Sequence, residues 1–110
     1  MAQQKVPVKH YQHLAKRFPK SIAALEDLGS AIHEEGPIQG KTAELIQLAG
    51  AASVQSEGSV HSHTRRALQA GATADEVYHT LLLLTSTIGF PRTSAAIRWA
   101  QDILGAKQKK

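Results

Sequence analysis

The stretch E-L-I-Q-L-A-G-A-A-S-V-Q-S-E-G-S-V-H-S-H-T-R-R-A-L-Q-A-G-A, Glu44 to Ala72, reads as two helices joined by a short polar corner. Leu45, Leu48, Ala49 and Ala52 recur at helical spacing before the corner, and Val60, Thr64, Ala67 and Leu68 recur after it. Gly71 suits the position just past the second helix, where a left-handed backbone is cheap for glycine. The corner gathers Ser56, Glu57, Ser59, His61, Ser62 and His63, which are hydroxyls, imidazoles and a carboxylate without a thiol.

The geometry of that corner follows from the helical repeat. Ser56 precedes the second helix and fits its N-cap, with Ser59 at N3. Ser59 and His63 are i, i+4 and share a face, and Arg66 lies beside His63 one turn on. His61 is two residues from each and points elsewhere. Helical zinc pairs sit at i, i+4, so the His61 and His63 pair is not expected to hold a metal. Glu44 stands in an apolar helix, where a carboxylate is partly desolvated and needs a partner. A histidine is an obvious one, and such a pair can serve as a general base near neutral pH. In an antiparallel hairpin, however, Glu44 falls near the start of one helix and His63 a turn into the other. Local geometry alone sets them apart unless a kink or a neighbouring helix closes the gap.

Composition bounds the rest. The chain has 110 residues, enough for one domain with a modest core, and 42% hydrophobic against 20% charged residues is a globular balance. Aromatics are few (Tyr11, Phe18, Tyr78, Phe90, Trp99), so the core is expected to be aliphatic. The formal charge is +4, but the basic residues concentrate at the two ends. No basic stripe with aromatic neighbours runs along the middle of the chain, and no nucleic-acid partner is expected. With zero cysteines, disulfides, thiolate catalysis and cysteine-ligated metals are excluded. No signal peptide or membrane span is visible, and a cytoplasmic location is expected.

Outward from the corner the pattern stays helical. Val8, Tyr11, Leu14, Ala15 and Phe18 mark a first helix opened by Pro7 and broken by Pro19. Ile22, Leu25, Leu28 and Ile32 form an amphipathic stripe on a second, about residues 20–35, ended by Gly36-Pro37. The hairpin helices are expected at about 41–55 and 58–70. Thr73-Ala-Asp-Glu76 reads as a capping box opening a fifth helix, about 74–88. Leu82 and Leu83 lie off that helix's main stripe of Val77, Leu81, Leu84 and Ile88, so their cover is expected from another subunit. A sixth helix, about 91–104, carries Ala96, Trp99, Ala100 and Ile103 and is expected to stop at Gly105. Residues 1–6 and the lysine tail, 105–110, are expected to be mobile. His10 and His13 are expected in solvent.

The spacing of the corner resembles the carboxymuconolactone decarboxylase and alkylhydroperoxidase D (AhpD) superfamily. In the AhpD-like branch a glutamate is followed, twelve residues on, by C-x-x-C-x-x-x-H. Here Glu44, Ser56, Ser59 and His63 stand in those places. K-T-A-E-L-I-Q-L-A before the motif, H-T-R-R-A-L-Q-A-G-A-T-A-D-E-V after it and I-G-F-P later resemble the family as well, over about residues 22–104. The resemblance implies an all-α, six-helix AhpD-like orthogonal bundle built around a helical hairpin. It forms a single domain, 1–110 with its core at about 20–104, and the expected assembly is a homo-oligomer, a trimer or a hexamer. In the AhpD-like branch two cysteines carry the redox work while glutamate and histidine relay protons. Serine forms no disulfide and is a weak nucleophile, so thiol peroxidase activity is not expected. The decarboxylase branch, E-L…H-x-R-x-A, keeps a histidine where His63 stands and acts on a lactone acid by acid–base chemistry without a cofactor. This chain keeps Glu44, His63 and Arg65 of that pattern but has Ser59 where that branch usually has a glutamate.

The expected site is therefore Glu44, His63, Ser56 and Ser59 for chemistry, with His61, Arg65 and Arg66 holding a small anionic substrate, and no metal or cofactor. The alternative is a catalytically silent member of the family, a small-ligand-binding or scaffold oligomer.

Overall fold

The computed structural model describes residues 8–108, and the side chains of residues 9–105. The described residues form helices and connections only, in two compact units, residues 1–39 and 40–110. The expected mobility of residues 1–6 and of the last lysines lies outside the described residues.

The first unit holds α1 (Val8–Arg17) and α2 (Pro19–Glu34). Phe18 breaks the run because Pro19 lacks an N–H and disfavours a helical residue before it, while its fixed φ suits the first position of α2. The Tyr11 hydroxyl donates to the Glu26 carboxylate and ties the two helices together. The stripe read on α2 is present but unburied, with Leu25, Leu28 and Ile32 all more than half exposed. His10 and His13 are exposed, as expected.

The second unit holds α3 (Gly40–Ser53), α4 (Glu57–Gln69), α5 (Ala74–Leu82), a single turn α6 (Thr85–Ile88) and α7 (Phe90–Gln108). Helix α3 packs along α4, α4 along α7, and α5 lies against both α3 and α7. Between them sits an aliphatic core of Leu48, Ala52, Val60, Ala67, Val77, Leu81, Ala96, Ala100 and Leu104, each at most 1% exposed. Small alanines on α4 and α7 let the helices approach closely. Leu48 and Leu81 supply bulk, each worth about 1.5–3 kcal/mol of burial.

Two stop signals shape the hairpin. Helix α3 ends in a Schellman motif: the Ser56 amide donates to the Ala51 carbonyl at 3.0 Å and the Gln55 amide to the Ala52 carbonyl at 3.1 Å. Gln55 takes the left-handed position, φ 57°, that glycine usually fills. Helix α4 ends the same way, with Ala72 donating to Ala67 at 2.9 Å and Gly71 to Leu68 at 3.0 Å. There Gly71 does hold the left-handed position, φ 102°. The capping box at Thr73 and Glu76 forms in both directions.

Two helix boundaries differ from the sequence reading. The fifth helix does not run unbroken to Ile88. It tightens at Leu84, whose amide bonds the Leu81 carbonyl, and resumes as the single turn α6. The segment Thr85-Ser86-Thr87 has low helical preference, and the Thr85 hydroxyl donates to the Leu82 carbonyl, competing with the regular ladder. Helix α7 does not stop at Gly105 but continues to Gln108. Glycine lowers helix stability without forbidding the helix, and no proline follows to end it. Leu82 and Leu83 are exposed, off the main stripe as read.

Candidate active site

Ser56 holds three structural tasks at once. Its amide closes the end of α3, its carbonyl accepts from the Val60 amide at 2.9 Å, and its hydroxyl accepts from the Ser59 amide at 3.3 Å as the N-cap of α4. The corner is therefore one turn of chain with little freedom, and it fixes the rotation of α4 relative to α3.

That rotation carries His63 onto the α3 face. His63 Nδ1 lies 2.9 Å from Glu44 Oε1, with the side chains 17% and 13% exposed respectively. The separation expected from the hairpin does not hold. Glu44 lies eleven residues before the tip at Gln55 and His63 eight after it, an axial offset of three residues. At 1.5 Å per residue this offset is about 4.5 Å, which a glutamate and an imidazole reaching toward each other span. With Glu44 ionised the bond has one favourable sense: Nδ1–H donates to the carboxylate, and Nε2 is left as the ring's acceptor.

The neighbouring basic residues divide. Arg66 is exposed. Arg65 is partly buried, and its Nη1 atom is inaccessible and has no hydrogen-bond partner among the described residues. Burial, and secondarily the adjacent Arg66 guanidinium, lower the Arg65 pKa from its ordinary value. A buried guanidinium nitrogen without an acceptor is unsatisfied, and an anion would satisfy it. Ser59 sits one turn before His63, its amide committed to the cap of Ser56.

The structure does not bring His61 to this pair. Its ring is 3% exposed and faces α7, where Nε2 lies 2.8 Å from Asp102 Oδ2. Asp102 lies 41 residues away along the chain, and no local signal in the sequence pairs it with His61. Lys41 and Glu76 form a further tether at 2.9 Å, between α3 and α5. The Thr73 amide hydrogen bond, and after it the Lys41 ammonium, hold the Glu76 carboxyl below the ordinary carboxylate range.

An all-helical protein whose central hairpin sets a carboxylate against an imidazole, with the exposed Arg66 one turn further along the same helix face, is equipped for proton transfer beside a positive charge. The family model for the carboxymuconolactone decarboxylase family matches residues 19–102, and the chain belongs to that family. A segment of 59 residues is 38% identical to an uncharacterized protein of Haemophilus influenzae, covering 54% of this chain. The match spans about half, 52%, of that protein's length. The fold is shared with apo-lpg0406, a carboxymuconolactone decarboxylase family protein from Legionella pneumophila, at a TM-score of 0.72. Identity there is 23%, over 86% of this chain and 88% of that one, a likeness of fold alone.

Proposed function

We propose that the protein carries out cofactor-free acid–base chemistry of the decarboxylase kind on a small anionic substrate. The observation that carries this reading is the 2.9 Å contact between His63 and Glu44. Glu44 orients the ring and fixes its tautomer, so that Nε2 is the atom that takes or returns a substrate proton. Arg66, one turn after His63 on the same face of α4 and exposed, supports an anionic substrate, its guanidinium donating to a substrate carboxylate, while Arg65, two residues from His63, projects from another face. Thiol peroxidase chemistry has no cysteine to run on. We further propose a homo-oligomer, a trimer or hexamer, in which the exposed Leu82, Leu83 and Phe90 are covered by a neighbouring copy.

A second reading, a silent family member that binds a ligand or serves as a scaffold, draws support from Ser56. Its hydroxyl and amide are both committed to helix ends, so one of the two motif serines has a structural role. A thermal-shift screen of small lactones, keto acids and dicarboxylic acids separates the readings when hits are followed by turnover assays. Under the first reading a ligand stabilises the protein, is consumed by it, and does neither with a His63→Ala variant. A ligand that binds both proteins equally and is not turned over sinks the acid–base reading and leaves the second.

A further inference from the structure

A second imidazole and carboxylate cluster lies on the other side of α4. Glu57 and His61 are i, i+4 on that helix and therefore share a face, and Asp102 reaches the same point from α7. One ligand atom from each of the three lies within 4.8 Å of the others. We propose that Glu57, His61 and Asp102 form a binding site for a divalent transition-metal ion of the zinc class.

The donor set suits such an ion: one imidazole nitrogen and two carboxylate oxygens, leaving a fourth position open to water. Zinc holds these ligands at about 2.0–2.2 Å in a tetrahedron, so ligand atoms lie about 3.4 Å apart. His61 Nε2 and Asp102 Oδ2 are 2.8 Å apart, and the carboxylates stand on exposed residues that can adjust by rotation about their side-chain bonds. His61, by contrast, is 3% exposed and fixed between packed helices. The cluster is a rigid base with two movable ligands at its rim, and the ion enters from solvent.

The hydrogen bond between His61 and Asp102 accounts for two of the three residues but not for Glu57. Its carboxylate has no hydrogen bond or ion pair among the described residues, yet it stands close to another carboxylate that it repels. A divalent cation between them removes that repulsion and adds the third ligand. Glu57 also sits in the first turn of α4, where a negative charge complements the helix end, but that role does not require Asp102 nearby. His61 Nδ1 is buried without a partner among the described residues. An ion on Nε2 places the ring proton on that nitrogen with no acceptor to receive it, whereas tight zinc sites usually provide one. The expected affinity is accordingly modest, with a micromolar dissociation constant.

The test is isothermal titration of the tag-free full chain with zinc chloride, alongside Glu57→Gln, Asp102→Asn and a His10→Ala/His13→Ala double variant. The expected result is one ion per chain, a dissociation constant at least tenfold weaker in E57Q and in D102N, and no change in the double variant. His61 is left intact because its buried ring is part of the core. Glu57 makes no hydrogen bond or ion pair among the described residues, so E57Q keeps the fold, as circular dichroism and a melting curve in chelator check. Zinc affinity unaltered in both E57Q and D102N, loss of binding in the His10 and His13 variant, or no binding up to millimolar zinc each overturns the proposal.

Discussion

The contact between Glu44 and His63 makes a quantitative prediction, read by a double-mutant cycle of Glu44→Ala, His63→Ala and the pair together. Exposed ion pairs couple by about 0.2–1 kcal/mol, and breaking a fully buried one costs about 3–5 kcal/mol. The two side chains retain 13% and 17% of their exposure, so solvent screens them far less than a surface pair but not completely. A charge-assisted hydrogen bond in that setting is worth about 1.5–2 kcal/mol. The cycle matters because Glu44 makes other interactions besides this one, and single-variant losses would include them. Urea unfolding can be followed by Trp99, the single tryptophan, partly buried against the core. Protein concentration is held fixed so that association does not distort the comparison. With a slope of about 1.5 kcal/mol per molar urea, a coupling of this size corresponds to a midpoint shift of about 1 M. A coupling below about 0.3 kcal/mol, indistinguishable from additivity, would refute the pair and remove the support for acid–base chemistry.

Three further outcomes follow from the fold. Gln55 holds a left-handed backbone that costs a residue with a Cβ about 1–2 kcal/mol, so Gln55→Gly is expected to stabilise by about 0.5–1 kcal/mol after the extra entropy of unfolded glycine, measured by urea midpoint. The lowered Glu76 pKa contributes stability that is complete above the unfolded carboxyl's range and is lost as pH falls through the folded value. The melting-temperature gap between wild type and Glu76→Gln is therefore expected at pH 7, to narrow below about pH 4 and to close near pH 2; a gap constant with pH would contradict it. Leu83 is 63% exposed, and Leu83→Asp is expected to lower the mass measured by light scattering without lowering helix content, because a carboxylate buried at a subunit contact goes unpaired.

Much of this architecture is local, and local features can be read. The proline break at Pro19, the glycine stop at Gly71, the capping box at Thr73 and the cap at Ser56 each depend on residues within a turn of one another. The stripes on α3, α4, α5 and α7 are equally local, and the core they predict is nearly the core observed. Thr93 and Leu104 are fully buried core residues outside the stripe read on the last helix. The apolar stripe of α2 has the pattern of a buried face and is exposed, because periodicity records which residues share a face and not what lies against it.

The site divides along the same line. By itself the sequence determined the helical hairpin, the absence of any thiol and the placement of Glu44 and His63 on adjoining helices. It also determined that His61 and His63 diverge, since two residues along a helix turn a side chain by more than half a circle. Tertiary structure decided what each imidazole meets. The tight Schellman turn at Gln55, followed at once by the cap at Ser56, rotates α4 so that His63 reaches Glu44 across a three-residue offset that straight-hairpin reasoning kept open. The packing of α7 on α4 delivers Asp102 to His61 from 41 residues away. A helix fixes angles within itself; only the contact between helices fixes the distance between their side chains.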